Sequence, residues 1–372
     1  MRRHSLTSID PLFLGLVVGL TLFGLAMLLS ASGPVAYQAY SDPLYFVRRE
    51  CMLGLLPGGL FFYILSRGDY RIFRKLAFPA FIVAVVLLIL VFIPGLGLKL
   101  GGSHSWIRVG PYPLQPSEFV KCSFLIYAAA WMASRGEREG KTLQGGLAFL
   151  GSLGIVALLL IFQPDTGTMF VIALTALLMY FTAGAPLYWF MGFLGLGVGF
   201  LMLLIKFSTY RAARFMTFMH PELDPQGIGY HINQAFLAIG SGGWFGLGYG
   251  QSRQKYLYLP EVHSDSIIAI VAEELGFVMT VLFLCVLGLL VWRCFRIARD
   301  APDRFGRYLA IGVGIWIGVQ TFVNIASMTG LMPMTGVTLP FVSYGNSSTI
   351  SLLAGLGLVA SISRAGERSS LV

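Results

Sequence analysis

The sequence predicts an all-α, polytopic integral membrane protein with about ten transmembrane helices and one long extracytoplasmic loop. Hydrophobic residues make up 56% of the chain and charged residues only 12%, where a soluble domain carries roughly 25% charged residues. The apolar residues fall in runs of about 20, the length a helix needs to cross a hydrocarbon core about 30 Å thick. The same composition excludes a disordered chain, a collagen-like fibre and a disulfide-stapled secreted domain.

Taken in order, the candidate spans cover residues 11–32, 46–66, 78–96, 117–134, 147–163, 166–184, 187–206, 265–292, 307–330 and 339–362. The first follows Arg2 and Arg3 and ends near Ser30-Ala31-Ser32-Gly33, as a signal peptide would. It is longer than the ~7–15 residues of a signal h-region, so an uncleaved first helix is expected. Ten spans put both termini on one side. With a cytoplasmic N-terminus, sixteen Lys and Arg lie inside against nine outside, and five of the nine sit in the long loop or, as Lys206, at its border, where they count for less. Both termini are therefore expected to be cytoplasmic.

The long loop, about residues 207–264, joins spans seven and eight. Loops beyond about 15 residues are usually functional or disordered, and this one mixes aromatics, prolines, glycines and charges. Two stretches in it are half-amphipathic and suited to the membrane interface: Tyr210 to Met219, with Arg211 and Arg214 on a basic edge, and Tyr230 to Ile239. No fixed-period repeat and no soluble domain stands out, so residues 1–372 read as a single membrane domain. The net charge of +9 lies mostly between apolar segments on one side, which favours membrane lipids over nucleic acid as the partner of the basic residues. Cys51, Cys122, Cys285 and Cys294 form no C-x-x-C pair and read as small apolar fillers.

Charged groups inside a span cost roughly 2.5–3.5 kcal/mol each on insertion scales, so each needs a partner or a task. Glu118 and Lys121 stand three apart on one face of span four and can pair. Asp165 follows Gln163-Pro164 in a sharp turn and reads either as the cap of the next helix or as a partner for Lys121. Asp265 opens span eight, after Leu259-Pro260-Glu261-Val262-His263-Ser264. Either Ser264 or Asp265 could cap that helix; alternatively, Asp265 is a carboxylate at the outer mouth of a cavity, placed to act as a general base. Glu273 and Glu274, further down span eight, read as partners of neighbouring spans. Arg211, Arg214, Arg253 and Lys255 are four cations on the outer face, fitting a solvated loop near anionic headgroups or a diphosphate site bound by Arg forks. His104, His220 and His231 lack metal-ligand spacing, so no metal is assigned to them.

These residues form a set. Tyr258-Leu259-Pro260-Glu261-Val262-His263-Ser264-Asp265, followed by Ala272-Glu273-Glu274-Leu275-Gly276, resembles the signature of the SEDS family, the polytopic peptidoglycan glycosyltransferases of shape, elongation, division and sporulation. Four further stretches agree in order: Trp106-Ile107 before Gln115-Pro116-Ser117-Glu118 with Lys121; Gln163-Pro164-Asp165 with Gly167-Thr168; Tyr210-Arg211 with Arg214; and Leu339-Pro340-Phe341-Val342-Ser343-Tyr344-Gly345 with Ser347-Ser348. The likeness covers nearly the whole chain. Gly240-Ser241-Gly242-Gly243 and Gln251-Ser252-Arg253-Gln254-Lys255-Tyr256 are more similar to the FtsW branch than to the RodA branch. Asn346, Ser264, Ser266, His104 and Ser105 depart from the usual family pattern; Thr and Phe are common where Ser264 and Ser266 stand.

The resemblance implies a lipid II polymerase that joins disaccharides with release of undecaprenyl diphosphate, for septal synthesis or, as the alternative, for elongation by the same chemistry. It makes Asp265 the base that deprotonates the acceptor hydroxyl. It makes Arg211, Arg214, Arg253 and Lys255 the diphosphate contacts, with Trp106, Glu118, Lys121, Asp165, His263 and Ser343 shaping the substrate cavity. It also implies the bacterial cytoplasmic membrane with the site on the external face, a class B penicillin-binding protein as single-span partner, and other division proteins. It requires no cofactor, though a divalent cation (Mg or Mn) could assist the diphosphate. A lipid II flippase and a pure scaffold are the rivals: a flippase needs charges spaced through the membrane depth, and a scaffold makes no use of Asp265.

Overall fold

The computed structural model of the chain describes residues 9–100, 103–110, 112–139, 143–207, 209–220 and 227–370. Helix α1 (Pro11–Tyr40) starts where Asp10 accepts a hydrogen bond from Phe13 N at 3.0 Å, with Pro11 at the first helical position. Next comes one continuous helical run in three parts: α2 (Tyr45–Arg49), a π-turn over Glu50–Leu55, and α3 (Leu56–Arg67). Helix α4 (Ile72–Leu90) leads into three short antiparallel strands, β1 (Gly97–Leu100), β2 (Ser103–Val109) and β3 (Tyr112–Leu114), in the order β1-β2-β3. Then come α5 (Pro116–Glu139), α6 (Leu143–Phe162), α7 (Thr166–Thr182) and α8 (Leu187–Phe207). The long loop carries α9 (Thr209–Met219) and α10 (Ile228–Ser241), and the chain finishes with α11 (Ile267–Arg299), α12 (Arg304–Met328) and α13 (Asn346–Ser370).

Every predicted span overlies a helix, and both amphipathic stretches of the loop are helical. Among the described residues, six helices are long and apolar enough to cross a membrane: α1, α4, α6, α11, α12 and α13. Helices α7 and α8 are apolar but shorter over their described residues. The small sheet is an addition to the all-α expectation: its strands are three to seven residues long, too short for a period-2 pattern to stand out.

Helix α12 lies at the centre. In its apolar window 78% of residues are buried, against 22% for α4 and α11. It packs on α5, α7, α11 and α13, while α3 packs along α13. The outer helices turn large apolar side chains outward, such as Phe78 and Val83 on α4, which suits a lipid surroundings rather than water.

Helix α11 is broken one-third of the way along. Gly276 sits at φ 76°, outside the helical region. Backbone groups freed by the break are taken up by the segment before it: Leu247 N donates to Glu273 O at 3.0 Å, Gly248 N to Glu274 O at 2.9 Å, and Phe277 N to Gly243 O at 2.9 Å. Away from water such groups need partners inside the protein. A Cβ on Gly276 would lie 2.2 Å from Gly246 N, so the two backbones touch only because both residues are glycine. Gly276→Ala is expected to cost about 1–3 kcal/mol from the positive-φ backbone alone, with the clash added. Thermal melting in detergent checks it: a midpoint equal to wild type contradicts the account.

Candidate functional site

Helix α11 begins at Ile267, not at Asp265. Ser266 occupies the N-cap position, no side chain makes the capping bond, and Asp265 lies in the turn before the helix. Helix capping is therefore not what the Asp265 carboxylate does. Its backbone is firmly held: Asn324 Nδ2 on α12 donates to the carbonyl of Asp265 and to that of Val337, each at 2.8 Å. One residue back, Ser343 Oγ donates to Ser264 O at 2.5 Å and accepts from Leu339 N at 2.8 Å. Tyr344 N donates to His263 O at 2.7 Å, and the His263 ring stacks on Phe46 with centroids 4.2 Å apart. The signature before α11 and the Leu339–Gly345 motif are thus two halves of one brace. Leu257, Glu261 and Phe341 have positive φ, a conformation that non-glycine residues hold only where surroundings enforce it.

Against that rigid backbone the Asp265 side chain is poorly provided for. It is 7% exposed, and among the described residues the side-chain donor it meets is Ser266 Oγ, 3.5 Å from Oδ1. Burial and then the neighbouring Glu261 charge push its pKa up to about 7, opposed by Arg214 and Ser266. A buried carboxylate with so few hydrogen bonds, poised near neutral pH, is what a general base requires. His263 is held below the usual imidazole range by burial, with Glu261 opposing.

The other intramembrane charges are assembled beside α12. Lys121 Nζ lies 2.8 Å from Glu118 Oε2, donates to Gln320 Oε1 at 2.9 Å, and sits 5.5 Å from the centre of the Trp316 ring. Gln320 also accepts from Trp316 Nε1 at 2.7 Å and donates to Thr338 O at 2.9 Å. Asp165 is not the partner of Lys121. It caps α7, accepting from Thr168 N at 3.2 Å, and takes hydrogen bonds from Ser117 Oγ at 2.9 Å and Gln115 Nε2 at 3.3 Å. Its short side chain at the end of α7 is saturated there. Trp106 lies half-buried in β2, and Ser105 beside it donates to Gln163 O at 3.2 Å, tying the sheet to the turn before Asp165.

Sequence reasoning passed over Gln320, Asn324 and Glu50. Trp316, Gln320 and Asn324 repeat every four residues on an apolar helix, a polar stripe that could have been read as one face. Glu50 is 4% exposed and accepts from Thr349 Oγ1 at 2.5 Å and Gly345 N at 3.1 Å, anchoring the start of α13.

The four cations expected on the outer face separate. Arg214 on α9 donates to Met334 O at 3.1 Å and borders a cavity of about 270 Å³, otherwise lined by apolar side chains such as Met169, Phe170 and Leu174. Its charge is felt by both Asp265 and His231. Arg253 is exposed and lines an open depression with Gln251, Tyr256 and Tyr258. Lys255 is a correction to the expected diphosphate contact. It is 4% exposed, and its three protons go to Glu274 Oε1 at 2.8 Å, Gly250 O at 2.8 Å and Ser30 Oγ at 3.0 Å. Glu273, expected with Glu274 to pair with neighbouring spans, instead accepts from Arg253 N at 2.9 Å and from Ser252 Oγ. The Arg211 side chain lies outside the described residues. Among the described residues no three His, Cys, Asp or Glu side chains converge to hold a metal. The described residues thus offer no such cluster to a protein-held divalent cation.

The "Cell cycle protein" family of FtsW, RodA and SpoVE matches residues 11–368. A "Probable peptidoglycan glycosyltransferase FtsW" of Trichlorobacter lovleyi is 39% identical over 97% of this chain and 95% of its own length. "Stage V sporulation protein E" of Bacillus subtilis is 38% identical over 96% and 98%. Among solved structures, the rod shape determining protein RodA of Thermus thermophilus is 30% identical with TM-score 0.71, covering 96% of this chain and 97% of that one. A chain of a peptidoglycan synthase complex, solved for the coordination of polymerization and crosslinking, is 28% identical with TM-score 0.78, covering 96% and 98%.

Proposed function

Because the chain belongs to the FtsW, RodA and SpoVE family, we infer that this membrane protein is a peptidoglycan glycosyltransferase that polymerises lipid II and releases undecaprenyl diphosphate. The observation that carries the mechanism is Asp265: a buried carboxylate on an immobilised backbone, given almost no hydrogen bonds of its own. In the proposed reaction a carboxylate oxygen of Asp265 takes the proton of the acceptor sugar hydroxyl as that oxygen bonds to the donor's anomeric carbon. The bond from that carbon to the diphosphate breaks on the opposite face, and the electron pair leaves with the diphosphate, inverting the centre. Negative charge builds on the leaving group, so a fixed cation stabilises the transition state more than the ground state. Arg214 suits that role: it stands at the mouth of an apolar cavity fit for a lipid tail and close enough to Asp265 for their charges to interact.

The site faces outward in this reading, with both termini cytoplasmic in the bacterial inner membrane, as the distribution of basic residues supports. Septal synthesis is favoured over elongation by the higher identity to relatives named FtsW than to the RodA structure. The synthase-complex neighbour supports a penicillin-binding protein as partner. Arg214→Ala is expected to lower kcat about 10²–10³-fold, the range for removing a transition-state contact, with a smaller change in KM. Steady-state assays on labelled lipid II check the split.

The test of the function is incubation of the purified full-length chain, with its cognate penicillin-binding protein, with lipid II. Glycan strands that lysozyme digests are expected. Lipid II moved across vesicles without any polymer formed would overturn the reading in favour of a flippase.

A further inference from the structure

Two residues outside the expected site set touch Asp265 or its neighbour. His231 on α10 places Nε2 2.6 Å from Ser266 Oγ, and Ser266 Oγ lies 3.5 Å from Asp265 Oδ1. Ser266 is fully buried. A serine at a helix N-cap ordinarily accepts a hydrogen bond from a backbone N–H two or three residues on. Here it holds the N-cap position of α11 and makes no such bond; its hydroxyl is directed to His231 and Asp265 instead. The other carboxylate oxygen lies on the Gly336 side, where the residue carries no side chain: a Cβ there would come within 3.9 Å of Asp265 Oδ2.

We propose that His231 and Ser266 are positioning residues for Asp265, fixing Oδ1 so that Oδ2 is the oxygen presented to the acceptor hydroxyl. The inference rests on Asp265 acting as the general base. A serine has one proton to give, and a neutral imidazole has one donor and one acceptor nitrogen. When His231 donates from Nε2, the Ser266 proton is released to Asp265 Oδ1. When Nε2 accepts, that proton is committed to the ring and Asp265 loses its donor. The ring stays neutral through the working range, since burial and then the Arg214 charge press its pKa down to about 4. The arrangement depends on Ser266, one of the positions at which this chain departs from the family pattern, so it is particular to chains with a hydroxyl there.

Among the described residues, the charged and titratable groups around this trio are Arg214 from α9 and Glu261 and His263 from the segment before α11. Helix α12 contributes the Asn324 amide, which binds the Asp265 backbone, and the loop before α13 contributes Gly336, which has no side chain. None of these changes in the variants that follow, so a shift in the pH profile reports on the pair itself.

The test is the pH dependence of kcat for lipid II polymerisation by the full-length chain with its cognate penicillin-binding protein. The variants are Ser266→Ala, Ser266→Thr, His231→Ala, His231→Gln and Asp265→Asn. A hydrogen bond to the ionised form lowers a carboxyl pKa, so its loss moves the acid limb to higher pH. For Ser266→Ala the expected limb lies about half a pH unit higher, with about a threefold loss of kcat below the limb that shrinks as pH rises. His231→Ala shifts it the same way, and the double variant Ser266→Ala/His231→Ala shifts it no further, as for two members of one relay. Ser266→Thr and His231→Gln, which keep a donor, restore most of the shift. A Ser266→Ala limb that coincides with wild type while Asp265→Asn is inactive overturns the pair and leaves the base. Full turnover by Asp265→Asn overturns both. A uniform loss at every pH in Ser266→Ala and His231→Ala, unrelieved by the conservative variants, overturns the pair and marks both residues as packing only.

Discussion

Asp265→Asn is expected to lower glycan polymerisation by about 10²–10⁴-fold, the range a positioned general base supplies, in a protein that melts higher than wild type. The second half of that result separates a base from a structural carboxylate. The folded protein holds the Asp265 proton more tightly than the unfolded chain does, with a pKa of about 7 against the ordinary 3.8. Below about pH 4 both states are protonated and burial of the group costs nothing. Above about pH 7 both are ionised and the cost is complete, about 4 kcal/mol at 1.36 kcal/mol per pH unit. Asparagine keeps the shape without the charge. The melting advantage of Asp265→Asn is therefore largest at pH 8 and fades as the pH falls toward 4. Were the carboxylate a helix cap, its loss would instead destabilise by about 1 kcal/mol. Melting curves at pH 5 and pH 8, with the polymerisation assay, decide between them.

Lys255→Ala is the second large effect, and it falls on folding. The ammonium and Glu274 Oε1 are 2.8 Å apart with side chains 5% and 0% exposed. Removing one partner leaves a buried carboxylate beside Ser30 Oγ and Ser252 N. Breaking a buried pair from one side typically costs about 3–5 kcal/mol, whereas replacing both partners by apolar residues of similar volume is often neutral. Lys255→Ala is accordingly expected to lower the melting midpoint sharply, and Lys255→Met/Glu274→Met to recover most of the loss. A double variant as unstable as the single one contradicts this account, as does a single variant that melts with wild type. Because Glu273 and Glu274 hold the 252–255 segment through its backbone and side chains, Lys255→Ala is also expected to reduce activity without touching substrate.

The helices were legible in the sequence because each rests on a local signal: an apolar run for the spans, an amphipathic one for α9 and α10. The candidate base was legible because a carboxylate followed by an apolar run is conspicuous in so hydrophobic a chain. What joins Asp265 to the rest was not. Its carbonyl is held by Asn324 across 59 positions, and Gly345 is held by Glu50 across 295; no local pattern encodes such distances. Lys255 reads as a surface cation because it lies in a polar loop. Its burial follows from the break at Gly276, which lets the loop fold onto Glu274. Asp165 and Lys121 look like a pair by charge, but Ser117 and Gln115 reach the carboxylate first. Ser266 was noticed only as a departure from a pattern, and its meaning depends on His231, 35 positions away.

The central claim is that ionised Asp265 is the base of lipid II polymerisation. Its most direct test is the pH–rate profile of the wild-type protein with its transpeptidase partner, compared with that of Asp265→Asn. A base works in its deprotonated form, so the wild-type rate should rise with pH as one proton is lost, half-maximal near pH 7, and that limb should be missing from any residual activity of the variant. A wild-type rate that is flat from pH 5.5 to 8.5, or a variant that polymerises with the same limb as wild type, would contradict it.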